Sequence, residues 1–221
     1  MEKTTAWLRQ HSAKLIILFV GVLAPLYLFG SFAEEVLERE AFAFDEPILL
    51  FMHAHTTPLF DAVMLFFTRI GSVYALAPFN LAVLLFLLYR KRRAEALFWT
   101  LATCGAWLLN YLAKHTFVRV RPDLWVSISP ETTFSFPSGH AMHSMATVAA
   151  LLYLICHHRR NWPAIFIGIF FVAMVGLSRV YLGVHYPSDI AAGWAASVAW
   201  VAGLGILFQS RWAVRGTPRM V

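Results

Sequence analysis

The sequence predicts an all-α integral membrane protein: a six-transmembrane-helix bundle with an interfacial amphipathic helical segment after the first span. Three observations carry this. Of 221 residues, 59% are hydrophobic, where a soluble domain has about 45–50%. Only 14% are charged, against about 25% in soluble chains, and mean hydropathy is +0.64. The apolar residues also run continuously rather than alternating, which favours helices over barrel strands. This balance excludes a soluble enzyme, a disordered tail and a nucleic-acid module. The net charge of +6 therefore points to membrane topology, not to a nucleic-acid partner.

Crossing about 30 Å of hydrocarbon takes about 20 residues at about 1.5 Å each. Spans are expected near Leu15–Phe32, Ser72–Tyr89, Leu97–Lys114, Gly139–Cys156, Trp162–Val180 and Pro187–Phe208. The first follows Lys3, Arg9 and Lys14 and ends near Ser31-Phe32-Ala33, which looks like a signal-peptide cleavage site. Its apolar run of 18 residues exceeds the usual 7–15 or so of a signal peptide, so an uncleaved anchor is expected. Between spans one and two, Glu34, Glu35, Glu38, Arg39 and Glu40 surround Val36 and Leu37, the pattern of an amphipathic helix lying in the interface. The run Ile48–Met52, the break Thr56-Thr57-Pro58 and the run Leu59–Ile70 predict two further short helices, with Asp61 as a cap and Arg69 as an interfacial cation. Cys104 and Cys156 lie in or beside apolar runs without a disulfide pattern and read as small buried residues. No internal repeat or linker interrupts the chain, so 1–221 reads as a single transmembrane domain.

The cations give the orientation. With a cytoplasmic N-terminus, 12 of the 18 Lys and Arg fall on the inner face: Lys3, Arg9, Lys14, Arg90–Arg93, Arg159, Arg160, Arg211, Arg215 and Arg219. Arg39, Arg69, Lys114, Arg119, Arg121 and Arg179 remain outside. The positive-inside rule then places both termini in the cytoplasm and the loops Thr116–Ser138 and Tyr181–Tyr186 on the outer side.

Three polar groups gather at that outer depth. Lys114 closes span three, where its charge complements the helix dipole, and Arg121 precedes Pro122; by themselves these are a snorkelling pair. Arg119 reads as a solvated charge. Phe136-Pro137-Ser138-Gly139-His140 opens span four: Ser138 is a natural N-cap, Gly139 permits close approach to the backbone, and the free amides make an anion site. Alone, it is no more than a helix cap, and His143 one turn on reads as a packing residue. The third group runs from Ser178-Arg179 to His185, Pro187 and Asp189. Asp189, four residues after His185, can hold one imidazole nitrogen and leave the other as a nucleophile, although a lone His–Asp pair is usually structural. Their joint occurrence changes the reading. Cations and a helix N-terminus stabilise charge on a phosphoryl group, and two histidines supply a nucleophile and an acid.

Lys114-x6-Arg121-Pro122, Pro137-Ser138-Gly139-His140 and Ser178-Arg179-x5-His185-x3-Asp189 together resemble the tripartite signature of the type 2 phosphatidic acid phosphatase superfamily. All three parts match in order without substitution, while Met1–Leu101 carries only hydropathy. The resemblance implies that His185 attacks phosphorus and becomes a phosphohistidine, with Asp189 holding it. It implies that His140 protonates the leaving oxygen and then activates water, while Lys114, Arg121, Ser138, Gly139 and Arg179 hold the phosphate oxygens. It also implies no cofactor and no metal. In agreement, the site lacks a carboxylate pair suited to Mg²⁺, and a zinc-like His/His/Asp set is disfavoured beside three cations.

The implied partner is a lipid phosphate in the bilayer; the oligomeric state has no signature in the sequence. Soluble haloperoxidases share these motifs, and the hydropathy sets that branch aside. The short loop Thr116–Ser138 resembles those of bacterial undecaprenyl diphosphate phosphatases and phosphatidylglycerophosphate phosphatases. The expected activity is outer-face hydrolysis of undecaprenyl diphosphate, with phosphatidylglycerophosphate, phosphatidate and lipid A phosphates as alternative substrates. A lipid phosphotransferase uses the same phosphohistidine. An anionic-lipid transporter or scaffold is the non-enzymatic alternative, and the intact His140, His185 and Asp189 argue against it.

Overall fold

A computed structural model of the chain describes residues 15, 16, 18–156 and 161–213, the last five by backbone alone. Several residues used in the orientation argument (Lys3, Arg9, Lys14, Arg159, Arg160, Arg215 and Arg219) lie outside the described residues, as does Ile17 of the first expected span. A π-helical turn, Phe19–Leu23, leads into α1 (Ala24–Glu38). Then come α2 (Asp45–Ala54), α3 (Pro58–Ile70), α4 (Val73–Tyr89), α5 (Arg93–Phe117), α6 (Gly139–Cys156), α7 (Trp162–Tyr181) and α8 (Pro187–Ala213). Among the described residues there is no strand.

Among the described residues, five helices are each long and apolar enough to cross a membrane: Phe19–Glu38, α5, α6, α7 and α8 up to Phe208. The count becomes six if α3 and α4, which meet at a 43° bend, together form one broken span. At 17 residues, α4 alone is about 26 Å long, slightly short of the hydrocarbon thickness. The segment after the first span also differs from expectation. Glu34, Glu35 and Glu38 do not form a separate interfacial helix; they are the last turns of α1, which ends at Arg39 in the left-handed conformation (φ 59°). The two further short helices are present as α2 and α3. Thr57 caps α3 by accepting from the Phe60 amide at 3.3 Å, and Pro58 takes the first helical position. Asp61 is no mere cap: it accepts from the Tyr181 hydroxyl at 2.7 Å, tying α3 to α7.

The centre of the bundle is α6, packed against α5, α7 and α8, with α1 lying against α8. Lipid solvates outward-facing apolar side chains such as Phe166 and Ile167 as well as the core does. Helix association therefore depends on close packing and polar ties rather than on hydrophobic burial. Small residues provide the close approach: Ala102 and Ala106 of α5, Ala146 and Ala150 of α6, and Ala192 and Ala199 of α8 are all buried. At Gly193 the close neighbour is backbone: a Cβ there would stand 3.1 Å from the Ser138 carbonyl oxygen. Polar ties cross between helices where Trp99 Nε1 donates to the Asn80 carbonyl (3.0 Å), Ser197 to that of Met142 (2.9 Å) and Tyr153 to that of Gly205 (2.8 Å). Cys104 and Cys156 are both free, and Cys104 is exposed rather than buried, because it lines an open groove between α4, α5 and α6. The end of α5, the start of α6, the end of α7 and the start of α8 come together at one end of the bundle. That meeting point holds the site.

Candidate active site

Lys114 is in the last turn of α5, which runs on to Phe117, three residues beyond the expected end. The chain then leaves the helix through Val118 in the left-handed region (φ 48°). In the segment that follows, Arg119 and Arg121 are half-buried while Val120 between them is exposed, so the two arginines share a side. Ser138 caps α6: its hydroxyl accepts from the Ala141 amide at 3.5 Å and its carbonyl from Met142 at 3.0 Å. By helix geometry the amides of Gly139 and His140 then have no intrahelical partner. Gly139 packs against Asn110, whose amide donates to the Pro137 carbonyl at 3.0 Å. Gly183 turns the chain after α7 with φ 68°, and Trp125 fills the space that a Cβ would need. This turn delivers His185 to the start of α8, where Pro187 occupies the first position.

All eight residues expected from the sequence sit around this one end. His185 Nδ1 lies 3.2 Å from Asp189 Oδ2, and Arg121 Nη1 lies 3.0 Å from His185 Nε2. The contacts define the tautomer: Nδ1 donates to the carboxylate, and the Nε2 lone pair faces the guanidinium. Burial, first, and then the charges of Arg121, Arg179 and Lys114 push the His185 imidazole well below its ordinary pKa. It is neutral at pH 7, the state in which an imidazole nitrogen can act as a nucleophile. Burial also lowers Arg121, which nonetheless stays charged. His140, in the first turn of α6, feels the charges of Arg179 and Arg121. Arg179 is 1% exposed and donates to Thr68 of α3 and, at 2.6 Å, to Glu131. Its Nε is buried without a partner, a donor free to meet an oxygen. Lys114 donates to the Phe134 carbonyl, and Arg121 Nε to the Thr133 carbonyl at 2.6 Å.

Several residues that the structure brings to this site were not expected from the sequence. Arg119 is not a solvated charge. Its guanidinium bonds Asp189 Oδ1 at 2.6 Å, Ser188 Oγ at 2.8 Å and Asp45 Oδ2 at 3.0 Å, and lies 4.2 Å over the Tyr186 ring. Asp45, at the start of α2, accepts from the Ser188 amide (2.9 Å) and hydroxyl (2.5 Å). Ser135 donates to Asp189 Oδ2, which also takes the Tyr186 amide at 3.0 Å. The Asp189 carboxylate is thus held from four sides. The two-residue spacing of Arg119 and Arg121 was a usable signal for a shared face; nothing local marks Asp45. His143 sits one turn below His140 with its Nε2 buried and unpartnered, beside an apolar groove between α4, α5 and α6. Among the described residues, no three His, Cys, Asp or Glu side chains form a metal-sized cluster.

Comparison with known proteins places this arrangement in a family. The chain is 24% identical over 212 residues to an undecaprenyl-diphosphatase of Sulfolobus acidocaldarius, covering 94% of this chain and 95% of that protein. It is 31% identical over 144 residues to phosphatidylglycerophosphatase B of Bacillus subtilis, covering 62% and 70%. In three dimensions it resembles the crystal structure of a transmembrane PAP2-type phosphatidylglycerolphosphate phosphatase from Bacillus subtilis, with a TM-score of 0.72, 27% identity and coverage of 85% and 96%. A model of the PAP2 superfamily matches residues 95–213, the stretch that contains every residue of the three sequence motifs. This multi-pass membrane protein belongs to the PAP2 superfamily, and its relatives of named activity are membrane lipid phosphatases.

Proposed function

We propose that this chain, acting as one domain over 1–221, hydrolyses the terminal phosphate of a polyprenyl diphosphate at the outer face of the cell membrane, without a metal. The observation that carries the reading is the His185 geometry: Nδ1 tied to a buried carboxylate, Nε2 turned toward Arg121, and Lys114 and Arg179 close enough to act on its charge. Nε2 attacks phosphorus, an N–P bond forms, and the P–O bond to the lipid monophosphate breaks while His140 gives its proton to the departing oxygen. Water then attacks the phosphohistidine, His140 takes the water's proton, and inorganic phosphate leaves with His185 restored. Lys114, Arg121 and Arg179, with the Ser138 hydroxyl and the amides of Gly139 and His140, hold the phosphoryl oxygens as charge develops on them. Arg119 and Ser135 position Asp189.

The near-complete coverage of the Sulfolobus relative supports a polyprenyl diphosphate. Phosphatidylglycerophosphate is the second reading, favoured by the structural likeness to the Bacillus phosphatase. Both termini lie in the cytoplasm, on the cation balance set out above. The test is phosphate release by the purified protein from undecaprenyl diphosphate, phosphatidylglycerophosphate, phosphatidate and lipid A, with and without EDTA. The diphosphate should give the highest kcat/KM, and EDTA should leave the rate unchanged. Loss of activity on chelation that Mg²⁺ or Zn²⁺ restores would overturn the metal-free scheme. Phosphate appearing on an acceptor lipid instead of in solution would make the protein a phosphotransferase.

A further inference from the structure

Glu131 has no part in this scheme, yet its carboxylate sits at the cation cluster. Its Oε1 accepts from Arg179 Nη2 at 2.6 Å; the Glu131 side chain is 31% exposed and that of Arg179 1%. Its charge also reaches Lys114 and Arg121. The residues that follow continue the pattern. The Thr133 hydroxyl accepts from Arg121 Nη2 at 3.0 Å and Lys114 Nζ at 3.4 Å, and the Phe134 carbonyl accepts from Lys114 and, at 3.4 Å, from Arg121. One short stretch therefore supplies oxygen acceptors to all three cations. Within it only Glu131 brings a full negative charge.

We infer that Glu131 is a specificity-determining residue: a resident carboxylate that keeps monoanionic phosphodiester headgroups out of the site and yields to phosphomonoesters and diphosphates. The inference rests on the reading that Lys114, Arg121 and Arg179 hold the phosphoryl group. A cationic pocket at headgroup depth meets phosphodiester lipids in large excess over any lipid phosphate. A diester carries one negative charge, the same as the carboxylate it must displace, so the exchange gains nothing electrostatically. Glu131 also has the advantage of being tethered, at an effective concentration on the order of millimolar. A phosphomonoester carries about 1.5 to 2 charges and three terminal oxygens, and a diphosphate carries more, so these displace the carboxylate. Buried Arg179 needs an anion at all times; the partly exposed Glu131 can turn to water when a substrate takes its place.

The experiment measures phosphatidate hydrolysis by the purified full chain in nonionic micelles, with increasing phosphatidylglycerol as the diester probe. Glu131→Gln should lower the inhibition constant for phosphatidylglycerol roughly tenfold, the lower end of the value of one charge-assisted hydrogen bond, with kcat within about twofold of wild type. Glu131→Asp keeps the charge on a shorter arm and should shift that constant by an intermediate factor; it carries the test if the Gln variant does not fold. An unchanged constant in the folded variants overturns the inference, as does a collapse of kcat at constant KM, which would put the carboxylate in the chemistry. Inhibition by inorganic phosphate in Arg179→Ala separates the two levels. If it matches wild type, the phosphate-site reading itself fails; if it weakens while Glu131→Gln has no effect on phosphatidylglycerol, only the role of Glu131 fails.

Discussion

Replacing Arg119 by alanine tests whether one guanidinium joins α2 to the Asp189 carboxylate. The Arg119 side chain is 12% exposed, and the carboxylates it bridges, Asp45 and Asp189, are 3% and 0% exposed. Its removal leaves two buried negative charges without their shared cation. Breaking a buried pair in this way costs about 3–5 kcal/mol. Asp189 keeps Ser135, Tyr186 and His185, and Asp45 keeps Ser188, so the lower end, about 3 kcal/mol, applies. Arg92–Glu95 is the internal control: a pair 47% and 20% exposed, for which solvent screening leaves about 0–1 kcal/mol. At about 2–4 °C per kcal/mol for a chain of this size, Arg119→Ala should lower the apparent Tm by roughly 10 °C and Arg92→Ala by less than about 4 °C. The assay is thermal unfolding in detergent, followed by tryptophan fluorescence. Adding Asp45→Asn to Arg119→Ala should recover part of the loss, because one of the uncompensated charges is then gone. A shift no larger than that of Arg92→Ala, or strict additivity in the double variant, would falsify the bridge.

His185→Ala should leave a folded protein with no multiple-turnover hydrolysis, whereas Asp189→Asn should turn over slowly because the imidazole keeps its nitrogen and loses its orientation; steady-state phosphate release distinguishes the two, and normal turnover in either variant removes that residue from its role. The lowered pKa of His185 means that the folded state resists a proton which the unfolded chain accepts near pH 6.5. Stability should therefore decline as pH falls below about 6.5, and His185→Asn should flatten that decline in apparent Tm between pH 7 and 5; an identical slope contradicts it. Single cysteines at Val126, 96% exposed in the loop beside the site, and at Asn161, in a background with Cys104 and Cys156 replaced, should label differently with an impermeant thiol reagent in intact cells. Val126→Cys should react and Asn161→Cys should not; the reverse pattern moves the site to the cytoplasmic leaflet.

The sequence by itself determined the helical membrane class, the approximate positions of the spans and the identity of the motif residues. Long apolar runs have no stable alternative to helices in lipid, and the motif residues are polar groups at a depth where polarity is costly. Local spacing also foretold that Asp189, in the first turn of α8, reaches back to His185 just before the helix. Tertiary structure decided what those residues touch. Glu34–Glu38 looked interfacial because their charges suit an interface, but α1 carries them as its final turns. Arg119 looked solvated because its two anionic partners are 70 and 74 residues away, and no sequence periodicity spans that distance. Glu131 stood unmarked in a loop until the fold brought it against Arg179, 48 residues on. Charge pairing over such separations follows from how the helices pack; a single sequence specifies that packing but does not display it.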